Sequence, residues 1–281
     1  MSLPEDAQSL LRLAYTVVMS SNKPTVVIIP GAFSSPECYG KLTSALEAHE
    51  YEVHVPSLVT NNETHPPSGD LKDDTALIRS YVQDLVTKDR TVVCIGHSYG
   101  GHVMTNALYG LGLEDRSAQG WEGGVCALIY MTGFALSEGQ STFDNLQEFG
   151  IPEDLGPVVF DIAEDKTMIL RDPITFLGLD EPGLGEVEIE AYKKTLRRWN
   201  GTAMTQPLEH AAWREIPVAY IHTTKDFPIP LLAQQSMVRT LEKEGRKVQT
   251  FTIETGHCPH VTATESVVDA INKVVLPGGV V

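Results

Sequence analysis

Short apolar runs alternate with longer segments of helical spacing along most of the chain. The first run, PTVVIIP at 24–30, is rich in β-branched residues and ends in Pro30-Gly31, so it reads as a buried strand delivering a sharp turn. A helix-like stretch from Tyr39 to His49 follows, then YEVHVPSL at 51–58, a strand of alternating character, and a Pro- and Asn-containing loop through Gly69. Between 73 and 88, Leu77, Ile78, Tyr81 and Leu85 recur at helical spacing, which predicts a helix covering one sheet face. From Thr91 to Leu108 the period changes from strand to helix at the pentapeptide Gly96-His97-Ser98-Tyr99-Gly100. Further strands are read at 124–136, 216–223 and 247–255, with helical segments at 230–245 and 265–275.

Strands separated by helical segments of this length imply a parallel sheet covered on both faces, an α/β fold. Ligands of such folds bind beyond the carboxyl ends of the strands, so functional residues are expected just after each strand. Residues 137–207 break the alternation. They are polar and helical in character, notably at 186–199, and read as a helical cap inserted into a core formed by 23–136 and 208–281. A separate binding domain is the alternative, disfavoured by the segment's length and sparse apolar content. The first 22 residues read as an N-terminal extension, either an amphipathic docking helix through Leu10, Leu11, Leu13 and Val17 or a loosely attached tail.

Composition narrows the function classes. Among 281 residues, 42% are hydrophobic and 21% charged, as in soluble globular proteins. A formal net charge of -16 argues against nucleic acid, because neutralising phosphates takes clustered Lys and Arg. The acidity is read as serving solubility, with a cationic substrate as the alternative. Glu5 and Asp6 precede any apolar run, unlike a secretory signal, and Arg12 interrupts the one candidate span, so no membrane association is expected. Of four cysteines, Cys94 and Cys126 fall in strand-like runs, and the spacing suggests neither zinc nor a disulfide framework. A reducing, cytoplasmic setting fits, and the sequons at Asn62 and Asn200 do not overturn it.

The pentapeptide matches G-x-S-x-G, in which a serine sits on a strained strand-to-helix turn with its hydroxyl exposed. Five residues match often by chance, and a plain structural turn is the alternative. The placement after TVVCI and before a helix is the context a nucleophile needs. A serine hydroxyl requires a base. Of nine histidines, His257 alone follows the last strand in a Gly-His turn, while His210 and His260 stay as pocket candidates. Asp226, three residues past the strand at 216–223, is the carboxylate that would orient the imidazole; its other reading is a helix-entry residue near Pro228. The order Ser98, Asp226, His257 is that of the nucleophile-elbow hydrolases. Backbone N–H groups of Tyr99 and Ala32 are the expected oxyanion donors, and Phe33, Tyr99, Phe134 and Trp213 the candidate pocket walls.

PGAF after the first strand, GHSYGG, YIHTTKDFPIPLLAQQSMV and TGHCPHVTATESVVDAI together resemble the α/β-hydrolase superfamily, over roughly Lys23 to Val275. Within it the chain is similar to the branch of plant methyl esterases and hydroxynitrile lyases and to their fungal hydrolase relatives. The resemblance implies Ser98, Asp226 and His257 as nucleophile, acid and base, Ala32 and Tyr99 as oxyanion donors, and no metal or organic cofactor. Pro30 departs from the histidine common before this glycine. Gly31 and Cys258 stand where lyases of the branch tend to carry threonine and lysine, which favours hydrolysis. The expected partner is a small-molecule substrate, an ester or lactone cleaved through an acyl-enzyme. The alternatives are a cofactor-free lyase or cyclase using the same triad, and a small-molecule receptor. Oligomeric state is open, a homodimer included.

Overall fold

The computed structural model describes residues 23–149, 155–181 and 183–275. The extension expected at 1–22 lies outside the described residues. Numbered in chain order, the strands of the central sheet are β1 (Thr25–Ile29), β2 (Val53–His54), β3 (Thr91–His97), β4 (Gly124–Met131), β8 (Val218–Thr223) and β9 (Val248–Ile253). Their spatial order is β2-β1-β3-β4-β8-β9, and every neighbouring pair runs parallel. Successive side chains of a strand point to opposite faces, so β1 feeds two apolar layers. Val27 and Ile29 join Ile78, Val103 and Met237 on one side, while Val26 and Ile28 join Leu42 and Ile271 on the other. Both faces are thereby covered by helices, Leu71–Val86, Tyr99–Ala107 and Leu231–Lys243 on the first, Gly40–Ala48 and Thr264–Val275 on the second.

From β1 the chain passes to β2 on one side and then returns to β3 on the other, so the strand order reverses between β1 and β3. Such a switch point opens a crevice beyond the carboxyl ends of the two strands. The Pro30-Gly31 turn and Ser98 leave those ends.

The chain between β4 and β8 differs from the purely helical expectation. It contains the helices Thr142–Glu148, Pro173–Leu177 and Glu186–Lys193, but also an antiparallel sheet of β5 (Phe160–Ile162), β6 (Thr167–Leu170) and β7 (Trp199–Asn200). The helix read at 186–199 stops at Lys193, and Trp199 enters a strand. Strands of two to four residues are shorter than the window in which alternation can be recognised. β2 likewise covers only two residues of the run at 51–58. Among the described residues, no helix is long and apolar enough to cross a membrane.

Candidate active site

Ser98 occupies the step between β3 and the helix Tyr99–Ala107 with φ 53° and ψ −124°, a conformation costly for a non-glycine residue. Two contacts hold it there: its carbonyl accepts from Gly101 N at 2.9 Å and from Phe134 N at 3.1 Å. The flanking glycines permit the close approach. A Cβ on Gly100 would lie 2.1 Å from the Ile29 carbonyl oxygen, and one on Gly96 would lie 2.6 Å from Gly101 Cα.

Asp226 and His257, which follow β8 and β9, meet with Nδ1 of the ring 2.8 Å from Oδ2 of the carboxylate. A carboxylate only accepts, so Nδ1 carries the proton and Nε2 is left as an acceptor. The same Oδ2 accepts from the hydroxyls of Thr132 (2.6 Å) and Thr223 (2.8 Å), and Oδ1 from Ile229 N (2.8 Å). Burial alone would raise the Asp226 carboxyl, but the adjacent His257 ring and these donors outweigh it and hold the group below the usual carboxylate range. Ser98 and His257 line one cavity of about 80 Å³. Among the described residues Ser98 Oγ has no hydrogen-bond partner.

Ala32 and Tyr99 line the same cavity. Tyr99 is the first residue of its helix, where the N–H has no intrahelical acceptor. The Ala32 N–H belongs to the planar peptide whose carbonyl is that of Gly31. Asn61 Nδ2 donates to this carbonyl at 3.1 Å, which sets the plane, and Gly31 N donates to the Tyr39 hydroxyl at 2.8 Å. The Tyr39 oxygen is 2.7 Å from His97 Nδ1, and His97 Nε2 is 2.8 Å from the His257 carbonyl oxygen. That carbonyl can only accept, so Nε2 carries the His97 proton and the Tyr39 O–H donates to Nδ1. One buried chain of hydrogen bonds thus joins the turn after β1 to the backbone of His257. Burial first, and the neighbouring His257, push His97 down to about 3, so the ring stays neutral at physiological pH. Neither Tyr39 nor Asn61 carries a motif that could have revealed this from the sequence.

His97, Cys258 and His260 also place one potential ligand atom each within 4.8 Å of one another. Both nitrogens of His97 already have partners, and burial raises the Cys258 thiol well above its ordinary range, so this cluster forms part of the hydrogen-bonded packing behind the site. His260 stacks on Tyr39, with ring centroids 4.6 Å apart, and His210 stacks on Tyr109; neither lines the cavity.

Of the predicted walls, Phe33, Phe134 and Tyr99 face the cavity. Trp213 does not. It is buried in the core, and its Nε1 donates to the Leu136 carbonyl at 2.8 Å. An aromatic near a strand end is as serviceable for packing as for binding, and the string does not tell which. Walls absent from the sequence reading come from the segment between β4 and β8, chiefly Phe160, Phe176, Tyr192 and Trp199.

Comparison with known proteins agrees with this fold. The profile of the alpha/beta hydrolase family matches residues 26–270. An alpha/beta hydrolase of Aspergillus novofumigatus, nvfD, is 30% identical over 260 residues, covering 89% of this chain and 96% of that protein. A pyrethroid hydrolase of Sphingobium wenxiniae is 25% identical, covering 88% and 85%. Among solved structures, polyneuridine aldehyde esterase superposes with a TM-score of 0.70 at 18% identity, over 90% of this chain and 99% of that one. A pyrethroid hydrolase from Sphingobium faniae superposes with a TM-score of 0.67 at 20% identity, over 92% and 99%.

Proposed function

This chain belongs to the alpha/beta hydrolase family, and from that premise we propose that it is a serine esterase whose acyl-enzyme forms on Ser98. The observation that carries the reading is the Asp226–His257 pair at 2.8 Å beside the cavity that Ser98 also lines. In the first half-reaction the Ser98 hydroxyl adds to the ester carbonyl while His257 Nε2 takes its proton. The oxygen that becomes negative is held by the N–H groups of Ala32 and Tyr99. Collapse breaks the bond to the alkoxy group, which leaves as the alcohol with the proton returned by His257. In the second, His257 deprotonates a water that attacks the acyl carbon, and the acid is released as the proton returns to Ser98. Asp226 keeps the ring in the tautomer that can accept. A lactone would follow the same course, with its alcohol still tethered to the acyl group.

The names of similar proteins support ester chemistry, since esterase and pyrethroid hydrolase both recur among them. Ser98→Ala is expected to lower kcat on p-nitrophenyl acetate by roughly 10⁵- to 10⁶-fold, with the circular dichroism spectrum unchanged. Intact-mass analysis after treatment with a fluorophosphonate should show one adduct, absent in the variant. Undiminished turnover by Ser98→Ala would reject the nucleophile. An intact adduct without turnover of any ester would move the assignment to the lyase or cyclase reading.

A further inference from the structure

A second chamber opens beside the catalytic cavity, and we propose that it holds a bulky, uncharged apolar group of the substrate, while the small portion stays beside Ser98. The proposal rests on the esterase reading above and names its substrate class: neutral esters built asymmetrically, with one small and one large apolar half. Leu146, Phe160, Phe176, Met204 and Pro228 line both spaces, so the two adjoin. The volumes differ, about 80 Å³ beside Ser98 against about 290 Å³ in the outer chamber. The larger space is therefore the one with room for a large substituent, and the smaller one suits a short group.

A continuous run of aromatic rings joins the two. Trp199 meets Phe33 edge-on at 5.4 Å, Phe33 stacks on Phe160 at 5.6 Å, Phe160 meets Phe176 at 5.5 Å, and Phe176 meets Phe227 at 5.8 Å. The last ring is 53% exposed. A phenylalanine left half in water at the end of an apolar chamber is the surface expected of a ligand site.

Charge selects in the same direction. No Lys or Arg lines either space among the described residues. Among the described residues the carboxylate on the outer wall is that of Asp226, which already accepts four hydrogen bonds. A substrate carboxylate would enter with no counter-charge, and burying an unpaired charge is costly.

Gly156 gives the test a handle, because it lines the outer chamber and a Cβ there meets no atom within 4 Å. Two ester series are measured: p-nitrophenyl esters lengthened from acetate to decanoate, and acetates enlarged from phenyl to naphthyl. kcat/KM should rise at least tenfold along one series and stay flat or fall along the other. A terminal carboxylate on the favoured group should cancel the rise, and Gly156→Trp should lower the large-to-small ratio by at least tenfold. Val159→Asp, at a half-exposed position on the same wall, should do likewise and covers the case in which the tryptophan variant fails to fold. Binding of neutral N-phenyl-1-naphthylamine to Ser98→Ala reads the chamber without catalysis and should be lost in both wall variants. Rates insensitive to size in both series, equal acceptance of the carboxylate, or unaltered fluorophore binding in a folded wall variant would overturn the proposal. Fluorophore binding with no ester turnover would leave the chamber assigned and reject the esterase reading instead.

Discussion

Two hydrogens behind the site connect the turn that carries Ala32 to the backbone of His257. The Tyr39 O–H and the His97 Nε2–H tie the Gly31 amide to the His257 carbonyl. Tyr39→Phe strands the Gly31 N–H and His97 Nδ1, and a stranded buried group costs about 1–3 kcal/mol. The expected result is a roughly tenfold fall in kcat with KM little changed, since a displaced oxyanion donor acts on the transition state. His97→Leu breaks the same chain. Steady-state kinetics on the pair should therefore find the double variant no slower than the worse single one, whereas independent packing defects would multiply. Asp226→Asn is expected to cost about 10⁴-fold in kcat through the wrong tautomer.

The helix that begins at Tyr99 is positioned by two neighbouring segments, and each contact gives a stability measurement. Against β1 the approach is so close that a Cβ at residue 100 would sit 2.1 Å from the Ile29 carbonyl oxygen. Gly100→Ala should thus destabilise the fold by about 3 kcal/mol or more, seen as a lowered denaturation midpoint or insoluble protein. Against the helix Leu71–Val86 the link is Asp74, which accepts from Thr60 N (3.1 Å), Thr60 Oγ1 (2.7 Å) and the Tyr99 hydroxyl (3.0 Å). Burial raises this carboxyl to about 6, against the donors that lower it. Since the folded value lies above the unfolded value of about 3.9, protonation favours the fold. That contribution is complete below about pH 3.9 and is lost as pH rises through about 6. Wild-type stability relative to Asp74→Asn should therefore decline between pH 4 and 6, by on the order of 3 kcal/mol at most. Parallel melting curves across that range would remove Asp74 from this role.

For the molecule as a whole, the excess of acidic residues, a formal charge of -16, opposes the approach of anions. Repulsion of this kind is screened by salt. kcat/KM for an ester carrying a carboxylate is accordingly expected to rise with ionic strength, while that for a neutral ester of the same size stays level. Stopped assays between about 10 mM and 500 mM NaCl would decide it.

The chain's local patterns were enough to place the sheet, the serine turn and the strand ends that Asp226 and His257 follow. Val26 to Ile29, Val92 to Ile95 and Val218 to Ile221 are buried on both faces, and a strand buried on both faces shows as an unbroken apolar run. Ser98 and Asp226 stand just after such runs and His257 after the half-buried edge strand β9, so chain direction alone assigns all three to one edge. Phe33, Phe134 and Tyr99 were legible as walls beside the strand ends, but the walls supplied by the segment between β4 and β8 were not, because no periodic signal survives in β5 to β7. Phe160 and Trp199 acquire their place from packing against Phe33, distant in sequence from both, and Phe176 from packing against Phe160. Trp213 shows the converse, an aromatic whose neighbours turned it into core. The Tyr39–His97 chain likewise needed three segments to meet before any hydrogen bond existed. Backbone period is a property of neighbours along the chain; the direction of a side chain in an irregular segment is set by what the rest of the fold leaves open.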